Sequence, residues 1–244
     1  SGGRNLSLTG RLRGRDGSRL ASANPLDQTS VCLSNPGMTS AAAQPAHPRS
    51  RSPVAARRAH SRLPQLLDEA ARVFAQRGFA AASIREIVQG VGMLPGSLYC
   101  HFETKEALLV AVYRVGVQRI SSAVDAAVEP VIEPWQRLEA ACVAHLASLL
   151  DQTDYAQVVI RIRPSDAPAV AADLVALRDQ YERRLARLVA ALPLARPVRR
   201  GDLRLLLLGA LNWGQTWYRA DGSSTPEQIA RRFVGLLRLG LAKN

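Results

Sequence analysis

The sequence predicts an all-α fold of about nine helices. Three observations carry that reading. Apolar residues recur at helical spacing from residue 61 to the C-terminal end. Capping residues (Ser83, Thr104, Thr225) stand at the starts of the periodic runs, and Gly or Pro stands at their ends. No segment alternates apolar and polar residues in the way a half-buried strand would.

The elements follow in chain order. In LPQLLDEAARVFAQRGF, residues Leu66, Ala70, Val73 and Phe74 share a face, and Gly78 is a natural stop. SIREIV opens on Ser83 with Glu86 three residues later, a capping-box pattern, and Gly92 breaks the run. A short helix is expected over about 95–100, with Pro95 in its first turn. Thr104 caps a fourth helix that continues to a joint at Pro130 and Pro134. A fifth spans roughly 135–150, and a sixth ends near Pro164. A long helix from Asp166 and Pro168 to Ala191 keeps Val170, Leu174, Leu177, Tyr181, Leu185 and Leu188 in register. Another is expected from Arg199 to Tyr218, after Pro193 and Pro197. The last begins at Thr225, with Pro226 at its first position and Gln228 completing a capping box.

Residues 1–60 differ in kind. They are rich in Gly, Ser, Pro and Ala without sustained period, and are expected to be a disordered tail or upstream sequence. Two domains are expected beyond it, 61–108 and 109–244. The tail holds nine Arg and two Asp, so it supplies +7 of the formal +12 charge, whereas residues 61–120 supply only +2. The total charge therefore overstates the basicity of any folded body.

Composition also excludes functions. Cys32, Cys100 and Cys142 have no metal-ligand spacing, and an odd count leaves one unpaired in any disulfide scheme. No run of eighteen uncharged apolar residues exists; the longest candidate, around 203–217, is interrupted by Arg204, Asn212 and Gln215. A cytoplasmic protein without membrane partner is expected. No metalloprotease, nucleophile-elbow, phosphate-loop or dinucleotide pattern occurs, so neither enzyme activity nor a cofactor is expected.

The sharpest motif is SIREIVQGVGMLPGSLYCHF, residues 83–102: two short helices across a glycine-containing turn, with a preceding helix to pack on both. That is a helix-turn-helix plan, although spacing alone also describes an ordinary α-hairpin. Residues 62–109 resemble the DNA-binding domain of the tetracycline-repressor family of bacterial transcription regulators. The matching pieces are FAQRGFAAASIREIV and GMLPGSLYCHFETKEALL, where the family shows G-V-S-x-G-x-L-Y-x-H-F-x-x-K-x-x-L. Phe74, Phe79, Ile84, Ile87, Leu98 and Phe102 are then expected as the core of a small head.

DNA contacts are expected from Ser83, Arg85, Pro95, Gly96, Ser97, Tyr99, His101 and Lys105. Arg85 suits a phosphate or base edge, and Gly96 permits close backbone approach. For Tyr99 and Lys105 the resemblance implies contacts to the DNA backbone. Leu94 departs from the family pattern, which often has Ser there, so helix 3 lacks an oxygen cap. Cys100 stands where an aromatic or His is common.

The resemblance further implies a homodimer on a near-palindromic double-stranded operator and a C-terminal domain that binds an effector. Leu205, Leu206, Leu208, Trp213, Ile229, Phe233, Leu236 and Leu237 are expected at the dimer interface, because LRLLLLGALNWGQTWYR is apolar on too many sides for a one-faced helix. The C-terminal segment also resembles members that respond to acyl-CoA thioesters. On that basis Trp135, Arg161, Arg178, Tyr181, Trp213 and Trp217 are candidate ligand contacts, with Arg163 and Arg184 as further phosphate partners. The reading is a ligand-responsive regulator, as a repressor released by a small hydrophobic or acyl-CoA-like effector. The alternatives are an activator of the same fold, or a ligand-binding protein without specific DNA recognition.

Overall fold

A computed structural model describes residues 62–195 and 197–242. The expected tail at 1–60, with Cys32, His47 and His60, lies outside the described residues. Among those described, the fold is all α. Its helices are α1 (Leu63–Ala81), α2 (Ile84–Gly90), α3 (Pro95–Leu98), α4 (Lys105–Val128), α5 (Pro134–Leu150), α6 (Asp154–Arg161), α7 (Ala171–Ala190), α8 (Arg200–Asn212), α9 (Gly214–Trp217) and α10 (Pro226–Leu241). Since α9 is a single turn that follows α8 directly, the count agrees with about nine rods.

Local chemistry sets most boundaries. Thr104 accepts a hydrogen bond from the backbone N–H of Ala107 at 3.0 Å, satisfying an orphan donor in the first turn of α4. Thr225 and Gln228 form the reciprocal box that starts α10. The box expected at Ser83 is not made, although Ser83 still caps the helix. Ser83 accepts from Arg85 N–H at 3.2 Å, but Glu86 accepts from the Arg77 guanidinium of α1 at 3.2 Å instead of turning back to the cap. α1 leaves helical geometry at Gly78 (φ 73°), as the stop signal predicted.

Two segments depart from the expected helices. The stretch before α7 is two 3₁₀ turns, Pro164–Asp166 and Pro168–Val170, each with proline at its first position, and regular α-helix begins only at Ala171. The rod expected over 199–218 breaks at Trp213, where the backbone turns between α8 and α9. Gly214 sits against Leu146 at that break, where an added Cβ would lie 3.0 Å from its methyl.

The core runs continuously through α1–α10. α4 is its axis, with ten buried residues from Leu108 to Val128. It is the one described helix long and apolar enough to cross a membrane by length and composition (mean hydropathy 1.3), not the 203–217 segment singled out by sequence. Half of that window is buried within the fold, as in the central helix of a bundle. Phe74, Phe79, Ile87 and Leu98 are buried in the head, and Ile84 and Phe102 pack half-buried against the same core.

α6 lies tightly on α4 because position 116 has no side chain. A Cβ on Gly116 would sit 2.6 Å from a Val159 methyl and 2.9 Å from the Tyr155 carbonyl. Gly116→Ala is therefore expected to destabilise the protein by ~1–3 kcal/mol despite the helix-propensity gain of about 1 kcal/mol. Urea unfolding measures this, and a more stable variant would show that α6 can move aside freely.

Candidate functional site

Two sites stand on this frame. The first is the head. α2 and α3 are joined by a turn in which Gly92 takes φ 61°, a conformation that favours glycine. Met93 N–H donates to the Val88 carbonyl at 2.8 Å and closes the turn. α3 has only four residues; a further turn brings His101 and Phe102 N–H groups onto the Leu98 carbonyl at 2.8 and 2.9 Å. Buried Leu98 pins the helix to the core, and Pro95, Gly96, Tyr99 and Cys100 are exposed. Ser97 and His101 are half-buried, and Ser83 and Arg85 are exposed on the neighbouring cap and helix. The structure thus gathers seven of the eight expected DNA-contact residues at one helix-turn-helix.

Lys105 is placed differently from the expectation. Its ammonium donates to the carbonyls of Phe79 (2.9 Å), Ala80 (3.4 Å) and Ala82 (3.1 Å), and stands 4.4 Å from the Phe79 ring centroid. A lysine has three N–H donors, and all three have backbone partners at the C-terminal end of α1, where carbonyls lack helical partners. It acts first as a clamp between α1 and α4.

The second site is a cavity of about 220 Å³ enclosed by α4–α8 and the 164 turn. Val117, Ile120, Leu149, Val159, Ile160 and Ile162 give it apolar walls. His145, Tyr181 and Asn212 make a polar corner, and Arg163 and Arg178 lie on its exposed side. His145 Nδ1 is 2.5 Å from the Tyr181 hydroxyl, and Nε2 is 3.0 Å from Asn212 Oδ1. An amide oxygen only accepts, so Nε2 carries the proton and Tyr181 donates to Nδ1. The two rings stack at 5.5 Å. Burial pushes the Tyr181 hydroxyl's pKa up, which keeps it a donor.

Several sequence expectations for the cavity do not hold in place. Tyr181 and Arg178 line it, and Arg178 also pairs with Glu182 at 3.7 Å. Trp135 does not: it is buried in the core at the start of α5. Trp213 and Trp217 lie outside because the break after α8 leaves both indoles exposed. Arg161 borders a separate cleft with Gln76, Asp154 and Tyr218. Arg184 is held by Asp125 of α4 at 3.1 Å. His145 was missed as a site residue, since its partners lie 36 and 67 residues away in sequence.

The expected interface residues also divide. Leu205, Leu206, Trp213 and Leu236 are exposed, joined by Leu239, while Phe233 and Leu237 are half-buried. Leu208 and Ile229 are 6% exposed; Leu208 faces the cavity, and Ile229 belongs to the core. Neither is open to a partner.

The head and the cavity meet through α6. Tyr155 donates to Asp68 of α1 at 2.9 Å, and Arg119 of α4 lies 4.0 Å over its ring and 3.8 Å from Asp68. One turn further on, Val159 and Ile160 face the cavity.

Comparisons with known proteins cover both halves of the described chain. The family model described as bacterial regulatory proteins, tetR family, matches residues 66–112. The tetracyclin repressor-like C-terminal domain matches residues 131–241. The HTH-type transcriptional repressor KstR2 of Mycobacterium tuberculosis (strain ATCC 25618 / H37Rv) is 27% identical over 191 residues, covering 75% of this chain and 94% of its own. The crystal structure of AibR in complex with isovaleryl coenzyme A and operator DNA is similar at TM-score 0.62 and 26% identity, over 72% of this chain and 97% of that one. PfmR from Thermus thermophilus, a TetR family transcriptional regulator, is similar at TM-score 0.56 and 26% identity, over 73% and 100%.

The buried histidine and the clamping lysine each have a measurable consequence. Burial lowers the His145 pKa from 6.5 to about 4, against a smaller opposing effect of its bond to Asn212. Between those values the unfolded chain binds a proton there that the folded chain does not, so this contribution to stability is whole above pH 6.5 and is lost as the pH falls toward 4. His145→Gln should lessen the decline in urea-unfolding free energy across that window by ~2–3 kcal/mol; an unchanged decline would mean that another group causes it. Lys105→Met should cost about 1–3 kcal/mol of stability through unpaired carbonyls. It should leave the salt dependence of DNA binding unchanged, whereas loss of a phosphate contact would lower the slope by about 0.9 per site.

Proposed function

The chain belongs to the tetracycline-repressor family of ligand-responsive DNA-binding regulators, and from that premise we propose that it is a homodimeric repressor released from its operator by a small acyl-thioester-like effector. Proteins of this family are regulators, not enzymes. The observation that carries the proposal is the double engagement of α6: it is bonded to the head at Tyr155 and lines the cavity at Val159 and Ile160. A ligand that displaces those two side chains displaces the residue that holds α1.

The chemistry of the cavity supports the effector class. Its volume of about 220 Å³ falls below the range of about 300–1,000 Å³ usual for sites that enclose drug-sized molecules. A short or branched acyl chain suits such walls, with its carbonyl near the His145–Tyr181 corner. Arg163 and Arg178 stand where phosphate groups outside the cavity could be paired. Support also comes from AibR, whose structure holds isovaleryl coenzyme A and operator DNA, and from KstR2, a transcriptional repressor.

In this reading residues 61–108 form the DNA-binding head, and 109–244 the effector and dimerisation domain. Ser83, Arg85, Pro95, Gly96, Ser97, Tyr99 and His101 face the operator, and Lys105 sets the head's geometry. The exposed residues Leu205, Leu206, Trp213, Leu236 and Leu239 meet their counterparts across a twofold axis, which pairs two heads for a near-palindromic site. The effector shifts the DNA-competent population only by its differential affinity for the two arrangements.

Fluorescence anisotropy on a duplex from the chain's own upstream region tests this. The dimer should bind it selectively over a scrambled duplex, and isovaleryl-CoA should weaken that binding at least about five-fold. Tyr155→Phe should retain both ligand and operator binding but lose most of that coupling. Sequence-independent, salt-sensitive binding alone would reject the regulator reading. Tighter operator binding on adding the thioester would reject release as the mechanism.

A further inference from the structure

The surface that α3 offers to a groove carries no Arg, Lys, carboxylate or amide side chain, and its hydrogen-bonding side chains are the half-buried Ser97 and His101 and the exposed Tyr99. From residue 90 to residue 102 the sequence GVGMLPGSLYCHF contains no Arg, Lys, Asn, Gln, Asp or Glu. Those are the side chains that read guanine, adenine and cytosine edges, the first four by paired donors or donor–acceptor forks. Of the groups that are exposed, Pro95 has no N–H and Gly96 has no side chain. Cys100 directs its thiol at the Gly96 carbonyl, 3.7 Å away. Tyr99 offers one hydroxyl on a ring that is 57% exposed.

Leu94 is the anomaly. It is 77% exposed at the N-cap position of α3, where it makes no side-chain cap. A large apolar side chain there neither stabilises the helix end nor joins the core. A Cβ added at neighbouring Gly96 would meet no atom within 4 Å, so none of the described residues covers this surface. In the major groove the base edges present acceptors, donors and one apolar feature, the C5-methyl group of thymine.

We propose that Leu94 and the Tyr99 ring read thymine methyl groups, so that each operator half-site is specified by apolar contact more than by hydrogen bonds. The inference rests on the DNA-binding reading above and adds the chemistry by which sequence is distinguished. Arg85 and Ser83, on the preceding helix and its cap, remain to fix register on phosphates. Covering Leu94 with a methyl removes apolar surface of both from water. A cytosine at the same position has no methyl to cover Leu94 and presents its N4–H donor to an apolar side chain.

The test uses the duplex that the full-length dimer itself selects from a randomised library. Thymines of each half-site are replaced by deoxyuridine, which deletes the methyl and leaves every pairing and groove hydrogen-bonding group. Affinity should fall roughly four-fold for each contacted methyl. Leu94→Ala, which replaces one non-capping residue by another at an exposed N-cap, should leave thermal stability unchanged and abolish most of the discrimination between thymine and uracil duplexes. In a companion duplex, 7-deazaguanine, which lacks the N7 acceptor, should have little effect. Equal binding to thymine and uracil duplexes would sink methyl readout while the selected duplex still upholds DNA recognition. Failure to select any duplex would sink both.

Discussion

One ammonium group holds the head together. Lys105 begins α4, the axis of the whole fold, and its three donors close on carbonyls at the end of α1. α2 and α3 lie between these two helices in sequence, so the clamp fixes the span into which they must fit. The Phe79 ring beneath the ammonium excludes water from one side and strengthens the charge–dipole attraction. The pose of α2 and α3 thus depends on a residue that belongs to neither. The same α4 carries Val117 and Ile120 into the cavity, so the clamp and the cavity share one helix.

Much of the head was legible in sequence because its signals are local. Thr104 accepts its bond three residues on, and Gly92 turns the chain within one residue. The capping box at Ser83 failed for a tertiary reason, since Arg77 offers Glu86 a charged donor that outcompetes a neutral backbone N–H. The break at Trp213 had a local signal in Gly214, within LNWGQTW, that was passed over; Leu146 of α5 packs where a side chain at 214 would stand.

The cavity was less legible than the head, and its aromatic residues were misleading. Large indoles were natural candidates for a pocket, yet Trp135 fills the core, and Trp213 and Trp217 face outward. The polar corner came instead from His145, Tyr181 and Asn212, on three helices that sequence spacing cannot align. Periodicity placed Tyr181 on the inner face of α7 and went no further. A site built by convergence of distant side chains becomes visible only when the packing is known.

Under the proposed pairing, the exposed residues Leu205, Leu206, Trp213, Leu236 and Leu239 bear on how much of this protein a cell must make. Such side chains are costly to leave in water, so in that proposal a lone protomer would gain stability by finding its twin. Pairing is a second-order process, and below its dissociation constant the abundance of two-headed molecules rises with about the square of chain concentration. Gene dosage would then act as a threshold: halving synthesis removes about three-quarters of the binding-competent species. Apolar residues outside the helix-turn-helix would in this way set the sharpness of the response.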